Sequence, residues 1–493
     1  MSASDALSEP AHRRRAVVIG GGLAGMLAAA ALSGSVDEVT VIEQDVLPSG
    51  PGPRRNLPQA RHAHILWSGG AEAMERLLPG VTKAWLAAGA RRVPLTSQMV
   101  ALSSQGWYRR WPDSHYLIAC GRDLLDATVR DLVLALPGVT VHHSTRVTAL
   151  EGSPGRVTGV HVRRADGTEE LVRAELTVDA SGRGTHTRRW LDALGVRAAR
   201  EEVIDPGVVY ASRVFRSPVG DQPFPVVNVQ ARARASEPGR TAVILPIEDG
   251  QWMVTLSGTR GGRPSGDPEA FHAFALGARH PVVGELIAGA EPLGEVATFA
   301  HTASRRQFFE KVKGWPEGYA ALGDAVAVYN PVYGHGMSVA AQGALALREL
   351  LTAHGVDAPR LARRVQRAVA GPVSTAWLLA GQDVFYDGAT SRRPGPAQRL
   401  LGRCVDRLMH TSTGNYTVAT ALTDVMTLSA PVTALARPGV VLATLSGPRR
   451  PQLTAPPLTD REIALVRESR KPTRAHSHAP CVAPDLRAGS DLP

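Results

Sequence analysis

Three stretches of this chain predict an α/β fold with an inserted antiparallel sheet and a helical C-terminal region. The first is AVVIG, followed by GGGLAG at residues 20–25, an Ala-rich run and VTVIE. The second is a strand-rich block over residues 207–260, and the third is a helical pattern over about 372–465.

AVVIG is a continuous apolar run, of the kind buried on both faces of a parallel sheet. The glycine turn opens LAGMLAAAALSG, with Gly34 as its stop signal. VTVIE then completes a βαβ unit, a Rossmann-type element. A lone GxGxxG is weak in a chain with 49 glycines in 493 residues. Its setting gives it weight: a strand before, a helix after, and Glu43 at the end of the second strand.

Next comes an irregular basic segment, PGPRRNLPQARHAH, and then helical patterns over 66–78 and 124–136. Residues 139–182 read as a β-meander with Asp166-Gly167 as a hairpin turn. Within 207–260, VVYASRVFRS, PVVNVQARAR, TAVILPIEDG and QWMVTLSG alternate as an antiparallel sheet does when one face packs or lines a pocket. LGDAVAV reads as a further buried strand, followed by a helix at AAQGALALRELL.

Bulk properties exclude several classes. Hydrophobic content of 44% with 20% charge is that of a globular protein, and the length allows two or three domains. The formal charge of +10 is carried almost wholly by scattered Arg, without basic runs interleaved with aromatics, so nucleic acid is not an expected partner. Three scattered cysteines suggest neither a disulfide framework nor a zinc site, and fit a reducing cytoplasm. No run of about 18 apolar residues occurs, so no transmembrane segment is expected. His62 and His64 lack the Cys, Asp or Glu neighbours that a metal would need. Trp107 and Trp111 are read as packing residues.

The stretch GDAVAVYNPVYGHGMS at residues 323–338 carries a second Gly/Asp/Pro-rich turn. Two remote turns suggest one long cofactor held at both ends, which FAD requires and a nicotinamide dinucleotide does not. At the first turn, Gly20, Gly22 and Gly25, with Leu23 and Ala24, would let backbone N–H groups approach a pyrophosphate at a helix N-terminus. Glu43, followed by Gln44, would accept hydrogen bonds from the adenosine ribose. Downstream, Gly323 and Asp324 would meet the ribityl chain, and Pro331, Gly334 and Gly336 would let backbone approach the isoalloxazine. A helix beginning near Met337 would aim its positive end at the flavin.

GxGxxG, then DASGRG at 179–184, then GDAVAVYNPVYGHGMS, in this order, resemble the single-component group A flavin monooxygenases, over about residues 15–370. The middle motif of that family is usually a DG pair; here Asp179 is followed by Ala180-Ser181-Gly182, as in epoxidase-like branches. The resemblance implies flavin contacts for Arg122, in CGRDLLDATVR, and for Arg54, Val147 and Gly182. PQARHAHILWSGG (58–70), TRGG and NPVYGHGMS further resemble the epoxidases of polyether-ionophore biosynthesis, of the monensin and lasalocid type.

That resemblance implies an FAD-binding, glutathione-reductase-like domain formed by 13–75, 117–200 and 300–371. The substrate sheet would come from 76–116 and 201–299 and the helical region from 372–467, while the Ser-, Pro-, Ala- and charge-rich composition of 1–12 and 468–493 predicts disordered tails. It implies an FAD-dependent epoxidase that places one oxygen of dioxygen on alkenes of a linear polyene polyketide through a flavin C4a-hydroperoxide, with no side-chain nucleophile. NAD(P)H is the expected electron donor, directly or through a separate flavin reductase, and the substrate arrives free or carrier-tethered. The alternative is an FAD-dependent reductase of prenyl or polyene double bonds. A long apolar pocket is expected, walled by the 207–260 sheet and by the helical C-terminal region, with Phe224, Val226, Leu245, Pro246 and Met253 as candidate wall residues.

Overall fold

The computed structural model describes residues 13–469, apart from 198, 235 and 236. The expected tails lie outside the described residues, except that the last helix, Asp460–Ser469, reaches into the second. A five-stranded parallel sheet runs in the order Tyr319–Ala321, Leu176–Asp179, Arg15–Ile19, Glu38–Ile42, Val139–His142. The opening strand sits at its centre, flanked by Leu176–Asp179 and Glu38–Ile42, which explains why Ala16, Val17 and Val18 are all buried. Helix Leu23–Leu32 is buried nearly all round, and its alanines fit beneath the long helix Gly336–His354.

The stretch 139–182 is not one meander. Its first strand, Val139–His142, pairs in parallel with Glu38–Ile42, and its last, Leu176–Asp179, pairs in parallel with Arg15–Ile19. Only Thr145–Ser153, Arg156–Arg164 and Glu169–Arg173 form an antiparallel meander, with Asp166-Gly167 in the bend as expected.

The inserted sheet has seven strands, of which Val209–Arg216, Gln251–Gly258, Arg240–Ile247 and Val226–Val229 are those read from sequence. Met99–Ser103 adds a parallel pairing with Val226–Val229, and Gly106–Trp107 forms the edge beyond it. One face packs against helices Pro268–Leu276 and Val282–Ile287 through Phe215, Trp252, Val254 and Phe271. The opposite face is polar where it looks toward the parallel-sheet domain, with Ser212, Asn228, Thr241, Thr255 and Ser257.

The C-terminal region is helical, as expected. The boundary drawn at 371 falls inside a single helix, Leu361–Ala380, which packs on Gly336–His354 and carries Pro372 in its interior. Helices Pro396–Ser412, Tyr416–Met426 and Pro438–Ser446 follow. They are tied to the rest of the chain at several places, among them His335 to the Met426 carbonyl, Gln342 to the Leu428 carbonyl, and a line through His115. His115 Nε2 meets Asp424 Oδ1 at 2.8 Å and its Nδ1 meets the Ser68 hydroxyl at 3.0 Å. Ser, His and Asp in line resemble a hydrolytic triad, but Ser68 is fully buried and no substrate reaches it, so the line acts as a strut. Among the described residues no helix is long and apolar enough to cross a membrane.

Candidate active site

The two glycine turns converge. A Cβ on Gly323 would lie 2.8 Å from the Cβ of Ala24, so the downstream turn rests on the first helix of the chain. Between them runs a cleft of about 880 Å³, lined by residues of both turns.

The three glycines of the first turn do different work. Gly20 has φ +98°, and a Cβ there would meet the Ala180 carbonyl at 2.8 Å, so it makes the turn possible. A Cβ on Gly25 would strike the Gly20 carbonyl, so Gly25 serves the turn's own packing and does not line the cleft. Gly22 alone faces open space toward the cleft. Gly323, like Gly25, shapes the walls without lining them; the remaining expected cofactor residues, Gly22, Leu23, Ala24, Glu43, Gln44, Arg54, Arg122, Val147, Gly182, Asp324, Pro331, Gly334, Gly336 and Met337, together with Gly20, all line the cleft.

Glu43 is fixed against the first turn. Its Oε2 accepts from Gly21 N at 2.7 Å and from Arg54 at 2.9 Å, and its Oε1 accepts from Asp45 N at 2.9 Å. Arg54 also donates to the Gly21 carbonyl at 3.0 Å, and its Nε is buried without a partner. At the other end, burial raises the Asp324 carboxyl above its ordinary pKa, opposed by Arg183, Arg122 and Arg305. Its Oδ1 lies beside the N-terminus of the 19-residue helix Gly336–His354. Arg183, inside DASGRG, was readable as part of that motif but not as the cation facing Asp324.

A second, larger cavity of about 1140 Å³ adjoins the first. Ile65, Thr241, Ser257, Asn330 and Val332 line both. Its other walls come chiefly from the C-terminal helices, through side chains such as Leu401, Val405, Met409, Leu422 and Met426. Trp111 lines it too, whereas Trp107 packs edge-on to His280. None of Phe224, Val226, Leu245, Pro246 and Met253 lines either cavity. Val226, Leu245 and Met253 are on the correct face but at the end covered by the small sheet of Ile65–Trp67, Tyr116–Ala119 and Arg91–Pro94. Phe224 stacks on Trp252 in the core beyond the other face, and Pro246 pairs with Trp252 in register.

Three buried histidines flank the cleft region. Burial pulls His62 down to about 4 and His64 to about 3, each helped by a neighbouring arginine, and pulls His335 to about 4. His62 meets the Ser212 hydroxyl at 2.7 Å, and His335 meets the Met426 carbonyl at 3.0 Å. As pH falls below the ordinary 6.5, the unfolded chain takes up these protons first, so their contribution to stability is complete above 6.5 and drains toward 3–4. Asp383, raised to about 6 by burial, opposes this, since its cost is present above 6 and vanishes toward 3.8. His280, which burial also lowers, joins the histidines, and Asp324 and Asp123, which burial raises, join Asp383; the three large histidine shifts dominate. Acidification from neutrality to pH 5 is therefore expected to destabilise the protein by on the order of 1–2 kcal/mol per histidine, less the carboxyls' return. Urea unfolding at a series of pH values checks it; a midpoint that rises on acidification would refute the assignment.

Residues 16–188 match the family described as FAD dependent oxidoreductase. Protein Rv3254 of Mycobacterium tuberculosis is 32% identical over 424 residues, covering 80% of this chain and 85% of that protein. The 3-amino-4-hydroxybenzoate 2-monooxygenase PtnB3 of Streptomyces platensis is 32% identical over 371 residues, 72% of this chain and 84% of its own length. The chain belongs to the family of FAD-dependent monooxygenases. Among solved structures, a flavoprotein/dehydrogenase from Cytophaga hutchinsonii shares the monooxygenase's fold, with TM-score 0.61 at 16% identity, over 87% of this chain and 96% of that one.

FAD is thus the cofactor, and the cleft suits it: an open cradle at Gly22, a basic side chain beside it, and unpartnered buried polar atoms at Arg54 Nε and Ser181 Oγ. Asp324→Ala is expected to weaken FAD retention by about tenfold or more, with the fold intact, because a buried carboxylate no longer receives the cofactor's hydroxyls. Cofactor titration of the apoprotein reads the change; unaltered affinity would remove Asp324 from the site.

Proposed function

We propose that this monooxygenase is an epoxidase of a linear polyene polyketide in polyether antibiotic biosynthesis. The observation that carries the reading is the chamber of about 1140 Å³, walled largely by aliphatic side chains and joined to the cofactor cleft. A single aromatic ring would leave most of such a space unfilled, whereas a long unsaturated chain matches its size and its apolar walls. Bound FAD supplies the activation of dioxygen. One oxygen atom goes to the alkene, whose π-bond is replaced by two C–O bonds. The other leaves as water: NAD(P)H, directly or through a separate reductase, supplies two electrons and one proton as hydride, and solvent supplies the second proton.

The protein's share is positional. In our reading Gly20, Gly22 and Glu43 hold the adenosine diphosphate half, Arg54 faces the phosphates, and Asp324 with the 331–337 loop holds the flavin half. The apolar helices then exclude water and present the double bond at the shared wall of Ile65, Asn330 and Val332. The scattered cysteines suit action in the cytoplasm, on free or carrier-tethered substrate.

The test is an incubation of FAD-loaded protein, a reductant and candidate polyenes under isotopically labelled dioxygen. Labelled epoxide supports the reading. Saturated product formed anaerobically would replace it with double-bond reduction, and labelled phenol from an aromatic substrate would replace it with ring hydroxylation.

A further inference from the structure

In the large chamber, next to the wall it shares with the cofactor cleft, sits a carboxyl group that the oxygen-transfer step does not need. Asp383 is only 3% exposed, at the turn Gly381–Phe385 that follows helix Leu361–Ala380. Its Oδ1 accepts from the Tyr333 hydroxyl at 2.7 Å and its Oδ2 from the Asn330 amide at 2.9 Å. The amide's orientation is itself fixed, because Asn330 Oδ1 accepts from the Tyr210 hydroxyl at 2.7 Å. Asp383, Tyr333 and Asn330 all line the large chamber, and Asn330 also lines the cofactor cleft.

This carboxyl has no counter-charge. Among the described residues no basic side chain forms an ion pair or hydrogen bond with it. The arginines lining the chamber are engaged elsewhere: Arg109 with the Pro451 carbonyl, Arg232 with the Ser104 carbonyl, and Arg234 with Asp406, Gln382 and the Gly402 carbonyl. Two neutral donors are a thin complement for a carboxylate, which can accept about four hydrogen bonds. A buried anion left so is costly and is retained where a ligand completes it. Near neutral pH, above the value of about 6 to which burial lifts it, the group is an acceptor on a mainly apolar chamber whose other charged side chains are engaged with one another or with backbone carbonyls.

We propose that Asp383, held by Asn330 and Tyr333, anchors a hydrogen-bond-donating group of the substrate, a hydroxyl or an ammonium, and so sets which carbon of the chain lies at the flavin. The inference rests on the chamber reading above. In a tube of aliphatic side chains a hydrocarbon slides with little change in energy. One polar anchor at a fixed distance from the reacting edge converts that freedom into a register. Substrates lacking the donor lose the contact and leave the carboxylate unpaired, the situation in which hydrogen-bonding sites discriminate most sharply.

Calorimetric titration of the FAD-loaded protein with farnesol, farnesyl methyl ether and farnesylamine tests this. These probes share one apolar chain and differ in the end group. Farnesol or the amine is expected to bind about tenfold or more tightly than the ether, and whichever is tighter names the donor. Asp383→Leu should reduce that preference to about twofold or less while leaving the ether's affinity unchanged. Asp383→Asn, which keeps the shape and the Tyr333 contact, serves if the leucine variant fails to fold, and should erase the amine's preference. Equal binding of all three probes by the wild type overturns the anchor alone, as does a preference that survives in Asp383→Leu or an amine preference that survives in Asp383→Asn. Binding of none overturns the chamber reading and the anchor with it.

Discussion

Gly22→Val protein is expected to fold normally and to emerge from purification colourless. Gly22 has φ −75° and ψ −178°, extended backbone that valine adopts readily, so the substitution carries no backbone strain. A Cβ there would find only Arg54, at 3.9 Å, so nothing in the protein must move. What the side chain fills is the space through which a phosphate reaches the N-terminus of helix Leu23–Leu32. We expect affinity for FAD to fall by at least about a hundredfold, near 3 kcal/mol, with the unfolding midpoint of the cofactor-free protein unchanged. Gly20→Val is the contrasting control: with φ +98° and the Ala180 carbonyl in the way, it should fail to fold. If Gly22→Val retains its visible flavin absorbance, the pyrophosphate is not held at this turn.

Gly70→Leu is expected to be strongly damaging although it lies outside the two cofactor turns. Helix Ser68–Leu77 crosses Gly336–His354 so closely that a Cβ at Gly70 would lie 2.3 Å from the Ser338 hydroxyl and 2.6 Å from its Cα. Backbone cannot yield as a side-chain tip can, so the helices would be forced apart. Overpacking of this kind costs about 3 kcal/mol or more. Because Gly336 and Met337, next to Ser338, line the cleft, loss of flavin should accompany loss of stability. Chemical denaturation of Gly70→Ala and Gly70→Leu side by side measures it. Equal midpoints for both variants and the wild type would show that the crossing is looser than described.

Gly70 also shows what the sequence could and could not disclose. It closes PQARHAHILWSGG, a stretch that drew attention through resemblance, yet its requirement for glycine comes from a helix some 270 residues away, and nothing local signals that. The first βαβ unit was legible because the apolar run, the glycine turn and the alanine helix are contiguous, and their chemistry is local. The 323–338 loop was legible as its counterpart because its Asp, Pro and Gly residues are unusual together. The strand Val139–His142 was misassigned because hairpin signals lie beside it in sequence, whereas its partner Glu38–Ile42 lies about a hundred residues earlier. The chamber was legible as a long apolar pocket, but its individual sheet residues were not, for a related reason. Alternation gave the face of the inserted sheet, but not how far along each strand the small Ile65–Trp67 sheet covers it. Of the two expected walls, the helical region beyond 372 supplies most of the apolar lining, whereas the 207–260 strands present Thr241, Ser257 and Asn228 to the cavity and not the five apolar residues named for them. Asp383 gave no signal at all, since Asn330 and Tyr333, which define it, stand about fifty residues upstream.

The partition made by Ile65, Thr241, Ser257, Asn330 and Val332 has a practical corollary for anyone wishing to retarget the enzyme. Every atom trimmed or added on that partition alters the berth of the prosthetic group as well as the room for a new reactant. The opposite side carries no such double duty: Leu401, Val405 and Leu422 border one compartment only. Directed libraries belong on those helices, where a scaffold can be re-cut for bulkier or shorter guests while its redox half stays untouched.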